Sequence, residues 1–412
     1  MQYGLIGEKL SHSFSKEIHE SIASYKYELC EIAKNELAGF MQKREFRAIN
    51  VTMPYKKEVI PYLDEISDVA KELDAVNCIV NRNGKLYGYN TDFFGMRDLI
   101  LRSKIDISNK KILILGTGGT ARTSNLVCKS LGADNVILVS RSKKHHAITY
   151  EEAYSSHNDA QIIINTTPVG MYPNSYASPL DLSKFKALVA VFDAVYNPIR
   201  TQIVLDAKKM GVYSEGGLYM LVSQAVHAIE LFLGTDLDED ITQKTYQKIA
   251  NQKENLVLIG MPSAGKTTIG KILAKDLSRE LYDLDDEIEK HIGCTIAEYF
   301  KNHTEKDFRD IETQITKEIS QKNNIVIATG GGCILREENV DALRSSGRLY
   351  FLDRDLENLA PTDSRPLATK KEALKKLYEA RYQIYTNVCD VKIDANLTTT
   401  DEAQLIEKEF LK

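Results

Sequence analysis

Residues 256–267 have the sequence LVLIGMPSAGKT, and this stretch constrains the fold more than any other part of the chain. Four apolar residues lead into the pattern G-x-x-x-x-G-K-T and an amphipathic segment follows it, which predicts a strand, a glycine-rich loop and a helix. Backbone N–H groups at the start of such a helix attract anions. The pattern therefore predicts a nucleotide site in which Lys266 reaches the β- and γ-phosphates and the Thr267 hydroxyl holds Mg²⁺. The residues predicted to contact the nucleotide are Gly260, Ser263, Ala264, Gly265, Lys266, Thr267 and Thr268.

The late position of this loop indicates that other domains precede it, because such a loop follows the first strand of its own domain. A chain of 412 residues is predicted to form two or three domains. The net charge of −5 argues against nucleic acid or an anionic membrane as a partner. The longest apolar run, residues 187–192, is far too short to span a membrane. Six scattered cysteines without a C-x-x-C pair predict reduced thiols in a cytoplasmic protein.

A second glycine-rich loop lies in residues 111–121, KILILGTGGTA. A strand that runs into G-x-G-x-x-A and a helix is the dinucleotide-binding pattern, and residues 135–140 complete it as a second strand. An NAD enzyme places an acidic residue at the end of that strand, whereas this chain has Ser140-Arg141-Ser142-Lys143-Lys144. These cations favour NADP, because they suit a 2′-phosphate; a solvated basic turn is the alternative. The predicted NADP contacts are Gly116, Gly118, Gly119, Ala121, Ser140, Arg141, Ser142 and, from a later glycine pair, Gly217.

The first hundred residues alternate short apolar strands with helices. Ser15 is predicted to cap a helix over residues 16–25, and an Asn83-Gly84 turn is predicted between two strands. Polar residues recur at the predicted strand ends, where they are either ordinary turn and cap residues or parts of a binding site. They are Ser13, Ser15, Asn50, Thr52, Lys56, Asn77, Asn90 and Asp92.

The segment after the phosphate loop repeats an α/β pattern. Residues 282–285 are predicted to end a strand, so Asp283 and Asp285 should point in different directions and have different roles. Residues 325–332 are predicted to form a strand that runs into three glycines, and Arg309 and Arg381 are predicted to lie on helices.

With these motifs in order, two families are recognisable. Residues 1 to about 245 resemble shikimate dehydrogenase, and residues 254–412 resemble shikimate kinase. The first resemblance rests on residues 11–15 (SHSFS), 50–56 (NVTMPYK), 75–77 (AVN), 88–92 (GYNTD), the dinucleotide loop, 165–171 (NTTPVGM) and 217–224 (GLYMLVSQ). The second rests on the phosphate loop, 283–285 (DLD), 308–309 (FR), 330–332 (GGG), 365–367 (RPL) and Arg381. The two enzymes catalyse consecutive steps.

The resemblance implies an α/β fold in three parts. Residues 1–99 would form an α/β substrate domain, with helices at about 222–248 packing back onto it. Residues 100–221 would form a Rossmann NADP domain, and residues 253–412 a P-loop domain like the nucleoside-monophosphate kinases. The small-molecule partners implied are 3-dehydroshikimate and shikimate; whether the chain forms a homodimer is left open.

For the first half, the resemblance implies reduction of the ketone of 3-dehydroshikimate by NADPH. Lys56 and Asp92 match the catalytic pair of the family, since a protonated lysine can donate the proton that the carbonyl oxygen gains. A surface ion pair is the alternative interpretation. The matching substrate-binding positions are Ser13, Ser15, Thr52, Asn77, Asn90, Gln224 and, less closely, Tyr196.

For the second half, the resemblance implies transfer of the ATP γ-phosphate to the 3-hydroxyl of shikimate. Lys266 and Mg²⁺, held by Thr267 and Asp283, would neutralise charge, and Asp285 would bind the acceptor hydroxyl. Arg365 would lie on a lid that closes over the site, where it would contact the ATP and the transferred phosphoryl group. The acceptor contacts implied are Asp285, Arg309, Gly330, Gly331, Gly332 and Arg381.

The sequence also departs from the kinase pattern. The segments 352–365 and 365–381 are short, which implies a clipped lid, and Pro361 stands near the position where an arginine often packs on adenine. Two rival interpretations stay open: a nucleotide-dependent regulatory protein with decayed sites, and a quinate/shikimate dehydrogenase that uses NAD. A GTPase is disfavoured, because no N-K-x-D motif occurs.

Overall fold

The computed structural model describes residues 1–10, 14–360 and 371–411. The chain divides into two compact units. Unit 1 comprises Met1–Asn197 and Asp206–Ile249, and unit 2 comprises Pro198–Leu205 and Ala250–Lys412. Strands and helices alternate through both units, which confirms the predicted α/β class.

Unit 1 begins with a six-stranded mixed sheet in the order β2-β1-β3-β5-β6-β4. Strand β5 runs antiparallel to β3 and β6, so its first residue lies at the same sheet edge as the last residues of its two neighbours. The predicted turn is confirmed, since Asn83 and Gly84 both have positive φ (54° and 87°). The strands are β1 Tyr3–Gly7, β2 Tyr27–Glu31, β3 Ala48–Val51, β4 Glu65–Ile66, β5 Cys78–Arg82 and β6 Lys85–Tyr89. The helices are α1 Ser15–Ile22, α2 Leu37–Lys43, α3 Asp68–Leu73 and α4 Asp92–Arg102.

The second sheet of unit 1 is fully parallel, in the order β11-β10-β9-β7-β8. Residues 112–115 of β7 and 162–164 of β9 are fully buried aliphatic residues, as expected of a sheet covered on both faces. The strands are β7 Lys111–Leu115, β8 Asn135–Val139, β9 Ile162–Asn165, β10 Ala190–Asp193 and β11 Tyr213–Glu215. The helices along this part of the chain are α5 Gly119–Ser130, α6 Tyr150–Ser156 and α7 Gln202–Lys209.

Two further helices, α8 (Leu218–Leu233) and α9 (Ile241–Lys253), follow the second sheet. Helix α8 returns to the first sheet, where its Ala228 and Phe232 join a core cluster with Leu5 and Tyr27. A single residue separates α9 from the next strand, in line with the absence of a flexible linker from the sequence.

Unit 2 contains the third sheet, which is parallel throughout and has the order β13-β14-β12-β15-β16. Strand β12, which leads into the phosphate loop, is therefore flanked by β14 on one side and β15 on the other. The strands are β12 Asn255–Ile259, β13 Glu280–Asp283, β14 Ile325–Ala328, β15 Gly347–Asp353 and β16 Val391–Asp394. The helices are α10 Lys266–Asp276, α11 Leu284–Ile292, α12 Ile296–Tyr299, α13 Glu305–Ser320, α14 Glu337–Ser346, α15 Lys371–Val388 and α16 Thr399–Phe410.

Two local predictions were wrong. Ser15 is the first residue of α1, whose N-cap is Phe14 without a side-chain cap bond, and the helix ends at Ile22. Asp285 does not share a strand with Asp283: β13 ends at Asp283, which caps α11 by accepting from the backbone N–H of Asp285. The propensity of aspartate for helix N-caps overrides the strand pattern at this point.

Among the described residues, no helix is long and apolar enough to cross a membrane.

Candidate active sites

A lysine–aspartate pair lies at one edge of the first sheet. Lys56 follows β3 and Asp92 begins α4, and the Lys56 Nζ lies 2.6 Å from Asp92 Oδ2. The two side chains are 30% and 21% exposed, so solutes can reach a pair that is still largely shielded from water. Because β5 is antiparallel to its neighbours, Asn77 at its start lies at the same edge.

Hydrogen bonds from Asn77 fix the aspartate of this pair. Asn77 Nδ2 donates to Asp92 Oδ1 at 2.9 Å, while Asn77 Oδ1 accepts from the backbone N–H of Thr91 at 2.7 Å. The Thr91 hydroxyl donates to Gln224 Oε1 at 3.3 Å, which links the sheet edge to α8. Thr91 was not predicted from the sequence, because a threonine beside Asp92 has no catalytic group that would indicate a role. Because Asn77 occupies Oδ1 of Asp92, the other carboxylate oxygen, Oδ2, is the one that pairs with Lys56.

A glycine in α4 makes the approach of α8 possible. A Cβ on Gly95 would lie 2.6 Å from the Met220 carbonyl oxygen and 2.9 Å from Gln224 Cβ. Any larger residue at position 95 would therefore push α8, and Gln224 with it, away from Thr91.

Four further predicted substrate residues lie at the ends of strands or helices of unit 1, and two of them, Thr52 and Asn90, are close to Lys56 and Asp92 in the chain. Thr52 directly follows β3, and its backbone N–H donates to the Ile6 carbonyl at 3.0 Å. Asn90 follows β6 and is 2% exposed. Its Nδ2 donates to the Ala75 carbonyl, while its buried Oδ1 has no hydrogen-bond partner among the described residues. Ser15 opens α1, and Tyr196, after β10, packs edge-on against the neighbouring Phe14 ring at 5.4 Å. Burial raises the pKa of Tyr196. The prediction for Ser13 lies outside the described residues.

The dinucleotide loop joins β7 to α5 as predicted. Gly116 has φ +114°, a conformation that favours glycine, and Gly118 is the N-cap of α5. A Cβ on Gly118 or Gly119 would meet no atom of the described residues within 4 Å, so the backbone here is open to a ligand. Ala121 is fully buried on α5, and Gly217 is confined by the Ala194 carbonyl, 2.2 Å from where its Cβ would stand. The loop can accept a pyrophosphate at a helix N-terminus.

The predicted basic turn follows β8. Ser140 and Ser142 form a local turn in which the Ser142 backbone N–H donates to Ser140 Oγ at 3.3 Å. Arg141 is exposed, whereas the Lys143 ammonium is paired with Glu152. Of these two cations, Arg141 is the one without a carboxylate partner among the described residues.

The phosphate loop joins β12 to α10. Gly260 and Gly265 have φ +151° and +93°, Ser263 has φ +65°, and Ala264 is fully buried. Lys266 is 3% exposed, and its ammonium donates to the Gly260 and Met261 carbonyl oxygens at 2.9 Å. The ammonium therefore lies inside the ring of the loop.

Thr267 and Asp283 come together at the mouth of this loop. The Thr267 hydroxyl donates to Asp283 Oδ2 at 2.5 Å, so the strands β12 and β13 bring two hard oxygen ligands side by side. Thr268 follows in the first turn of α10. Among the described residues, no group of three or more acidic, histidine or cysteine side chains forms a metal cage. Magnesium needs none, because it is held by one or two protein oxygens together with substrate phosphates.

A cavity of about 280 Å³ lies next to the loop on the β13–β14 side of the sheet. Its charged lining includes Asp283, Asp285, Arg309, Glu312 and Arg381. Arg309 Nη1 donates to Glu312 Oε2 at 2.7 Å, and Glu312 is 1% exposed. Burial raises the pKa of Glu312, against the lowering effect of Arg309. Sequence reasoning missed Glu312, although its position one helical turn after Arg309 could have indicated such a pair.

The three glycines after β14 form one wall of this cavity. A Cβ on Gly330 would lie 2.6 Å from Asp285 Oδ1, and one on Gly332 would lie 2.4 Å from the Arg309 guanidinium. Arg381 Nη1 donates to the Gly331 carbonyl at 2.8 Å. The absence of side chains at Gly330 and Gly332 therefore lets Asp285 and Arg309 lie close to the backbone.

The predictions for Arg365 and Pro361 lie outside the described residues. The account of a clipped lid and of a lost adenine contact therefore stays a prediction.

Two family models match the chain. Residues 262–410 match the model described as shikimate kinase, and residues 5–79 match the model described as shikimate dehydrogenase substrate binding domain.

Curated relatives and solved structures match the first three-fifths of the chain. A shikimate dehydrogenase (NADP(+)) of Clostridium perfringens is 36% identical over 265 residues, which cover 60% of this chain and 97% of the relative. A solved shikimate dehydrogenase 1 from Peptoclostridium difficile is 36% identical with a TM-score of 0.55, over 60% of this chain and 98% of that one. A chorismate mutase/shikimate 5-dehydrogenase fusion protein from Clostridium acetobutylicum is 35% identical with a TM-score of 0.57, over 60% and 96%.

Proposed function

The chain belongs to the shikimate dehydrogenase family and carries a shikimate kinase segment, and we propose that it is a bifunctional enzyme of aromatic amino acid biosynthesis. It reduces 3-dehydroshikimate to shikimate with NADPH, and it phosphorylates shikimate with ATP to give shikimate 3-phosphate. The observation that supports this proposal is that predicted catalytic or binding charged groups lie together in each unit. Lys56 and Asp92 are 2.6 Å apart in unit 1, and the cavity beside the phosphate loop of unit 2 combines Asp285 with Arg309.

In the reduction, the Lys56 ammonium donates a proton to the ketone oxygen of the substrate. Asp92 accepts a hydrogen bond from Lys56 and keeps the ammonium at the sheet edge, and Asn77 holds the aspartate. NADPH supplies the hydride that the ketone carbon receives. A positioned acid of this kind contributes about 10²–10⁴-fold to the rate.

We assign the binding of the substrate to polar residues of unit 1. Asn90 supports this assignment, since no described residue donates to its buried Oδ1 and a substrate hydroxyl would satisfy it. Thr52, Gln224, Ser15, Ser13 and Tyr196 are the other residues that we assign to the carboxylate and the hydroxyls.

The residues around α5 fit NADP. The open face of Gly118 and Gly119 suits a pyrophosphate, and Gly116 and Gly217 are positions where a side chain would be strained or would clash. Arg141, exposed after β8, is the residue that we assign to the 2′-phosphate, with Ser140 and Ser142 beside it.

In the phosphorylation, the oxygen of the shikimate hydroxyl attacks the γ-phosphorus of ATP and ADP leaves. Asp285 accepts the proton that this hydroxyl loses. Lys266 neutralises charge on the phosphates, and Arg309 and Arg381 bind the acceptor carboxylate through their guanidinium forks. Glu312 keeps Arg309 in position. Thr267 and Asp283 would hold Mg²⁺, which would neutralise charge on the phosphates. We also assign Arg365 to the transferred group.

The proposal is tested by the two half-reactions of the full chain. Incubation with 3-dehydroshikimate should oxidise NADPH, and incubation with shikimate and ATP-Mg²⁺ should release ADP. Failure of either half-reaction in folded protein would remove that activity from the account.

The coenzyme assignment predicts a change of preference in Arg141→Ala. The ratio of kcat/KM for NADPH to that for NADH should fall by about 10- to 100-fold, because hydrogen bonds to a charged group contribute about 1.5–3 kcal/mol. Lys143→Ala is the matched control: its ammonium is paired with Glu152, so the ratio should change far less. An unchanged ratio in Arg141→Ala would favour the NAD-dependent alternative.

Location in the cytoplasm is part of this proposal, supported by six free cysteines, which fit a reducing compartment. Formation of a homodimer is a separate proposal, which sedimentation of the purified chain would test.

A further inference from the structure

Arg354 directly follows β15 and lies beside the phosphate loop. Strand β15 pairs with β12 so that Phe351 is opposite Ile259, the last residue before the loop. A methyl group on Gly265 would lie 3.8 Å from Nη2 of Arg354, and Gly265 directly precedes Lys266. The guanidinium is thus next to the loop backbone that receives the phosphates.

Arg354 is held in this place by a buried carboxylate. Its Nη2 donates to both oxygens of Glu402, at 2.9 and 3.1 Å, and Glu402 on α16 is fully buried. Nε is buried without a hydrogen-bond partner, and no residue in the described ranges accepts from Nη1. An orphaned donor is costly in a native fold unless a bound group satisfies it. The fixed guanidinium therefore has donors to offer a ligand.

The order of the strands shows which end of a nucleotide these donors would meet. The cavity of about 280 Å³ beside the phosphate loop, here called the acceptor cavity, lies on the side of β13 and β14 with Asp285 and the three glycines. Arg354 is not part of its lining. The phosphate loop follows β12 in the middle of the sheet, and Arg354 follows β15 on the opposite flank. A nucleotide whose γ-phosphate faces the acceptor cavity extends its other end toward β15.

We infer that Arg354 binds the nucleoside end of ATP, its ribose and base, and so sets the affinity of the kinase unit for the nucleotide. The guanidinium offers a planar surface for a base and hydrogen bonds for ribose oxygens. Glu402 acts as its positioning residue. This inference rests on the proposed kinase activity.

The test compares two ligands in the full chain by calorimetry: Mg²⁺-ADP, which has the nucleoside end, and inorganic tripolyphosphate, which lacks it. Arg354→Met should weaken binding of ADP by about 5- to 30-fold, the effect of a partly desolvated cation–ring contact. Binding of tripolyphosphate should change by less than about twofold, because Lys266 and the loop backbone are untouched. Arg354→Lys, which keeps the charge without the fork, should lose part of the ADP affinity and serves if the methionine variant fails to fold.

Arg348→Met is the matched control. Arg348 lies at the other end of β15 and also donates to a buried glutamate, Glu254, at 2.9 Å. This variant should lower the melting temperature and leave both ligands unaffected. Equal losses for ADP and tripolyphosphate in Arg354→Met, or unchanged ADP affinity, would overturn the inference. Wild-type protein that binds neither ligand would instead refute the proposed kinase activity.

Discussion

Lys56→Ala should lower kcat for the reduction of 3-dehydroshikimate by about 10²–10⁴-fold, the usual contribution of a positioned general acid. The physical reason is that Lys56 Nζ is the cation at the sheet edge, 2.6 Å from Asp92 and held there by the Asn77 network. The measurement is NADPH oxidation at saturating substrate. Phosphorylation of added shikimate should be unchanged, because every residue assigned to it lies in unit 2.

Lys57→Ala is the matched control for this prediction. Lys57 is the next residue in the chain and is also paired with an aspartate, Asp74, but its side chain is 49% exposed. Its removal should leave reductase activity within about twofold of wild type, since exposed ion pairs contribute little. Full reductase activity in Lys56→Ala would mean that the pair is only a surface ion pair.

Lys266→Ala should lower the rate of shikimate phosphorylation by at least about 10²–10³-fold, the cost of removing one preorganised group that stabilises a transition state. The Lys266 ammonium lies inside the loop on the Gly260 and Met261 carbonyl oxygens, where we propose that the phosphates bind. ADP release in the presence of shikimate is the measurement, and reduction of 3-dehydroshikimate in the same preparation should be unchanged.

Lys271→Ala tests whether position 266, rather than the charge of α10, is responsible. Lys271 is on the same helix and is exposed, so its loss should barely change phosphorylation. If Lys266→Ala kept more than about a tenth of the wild-type rate, the loop would not be the phosphate site.

The glycine-rich loops were predictable from the sequence because their chemistry depends on the backbone. Glycine at positions 116, 260 and 265 is required by positive φ, so spacing alone indicates the local structure. The roles predicted for Lys266 and Thr267 then follow from their positions, because they come directly after Gly265, the last glycine of the pattern.

Contacts that depend on tertiary packing were not predictable in the same way. Thr91 gains its importance only because Gly95 lets α8 bring Gln224 close, and Glu312 only because burial makes it the partner of Arg309. Asp285 shows a third limit of prediction from sequence. Residues 282–285 have the pattern of a strand, but Asp283 caps a helix that contains Asp285. Local propensity alone does not decide between the strand and the capped helix.

The most direct test of a bifunctional enzyme is the product formed from 3-dehydroshikimate when NADPH, ATP and Mg²⁺ are all present. We predict that shikimate 3-phosphate forms in step with NADPH oxidation, and that omission of ATP or the Lys266→Ala substitution stops the reaction at shikimate. Lys56→Ala should form product only when shikimate is supplied. Oxidation of NADPH by the wild-type chain that yields shikimate but never shikimate 3-phosphate would contradict the account.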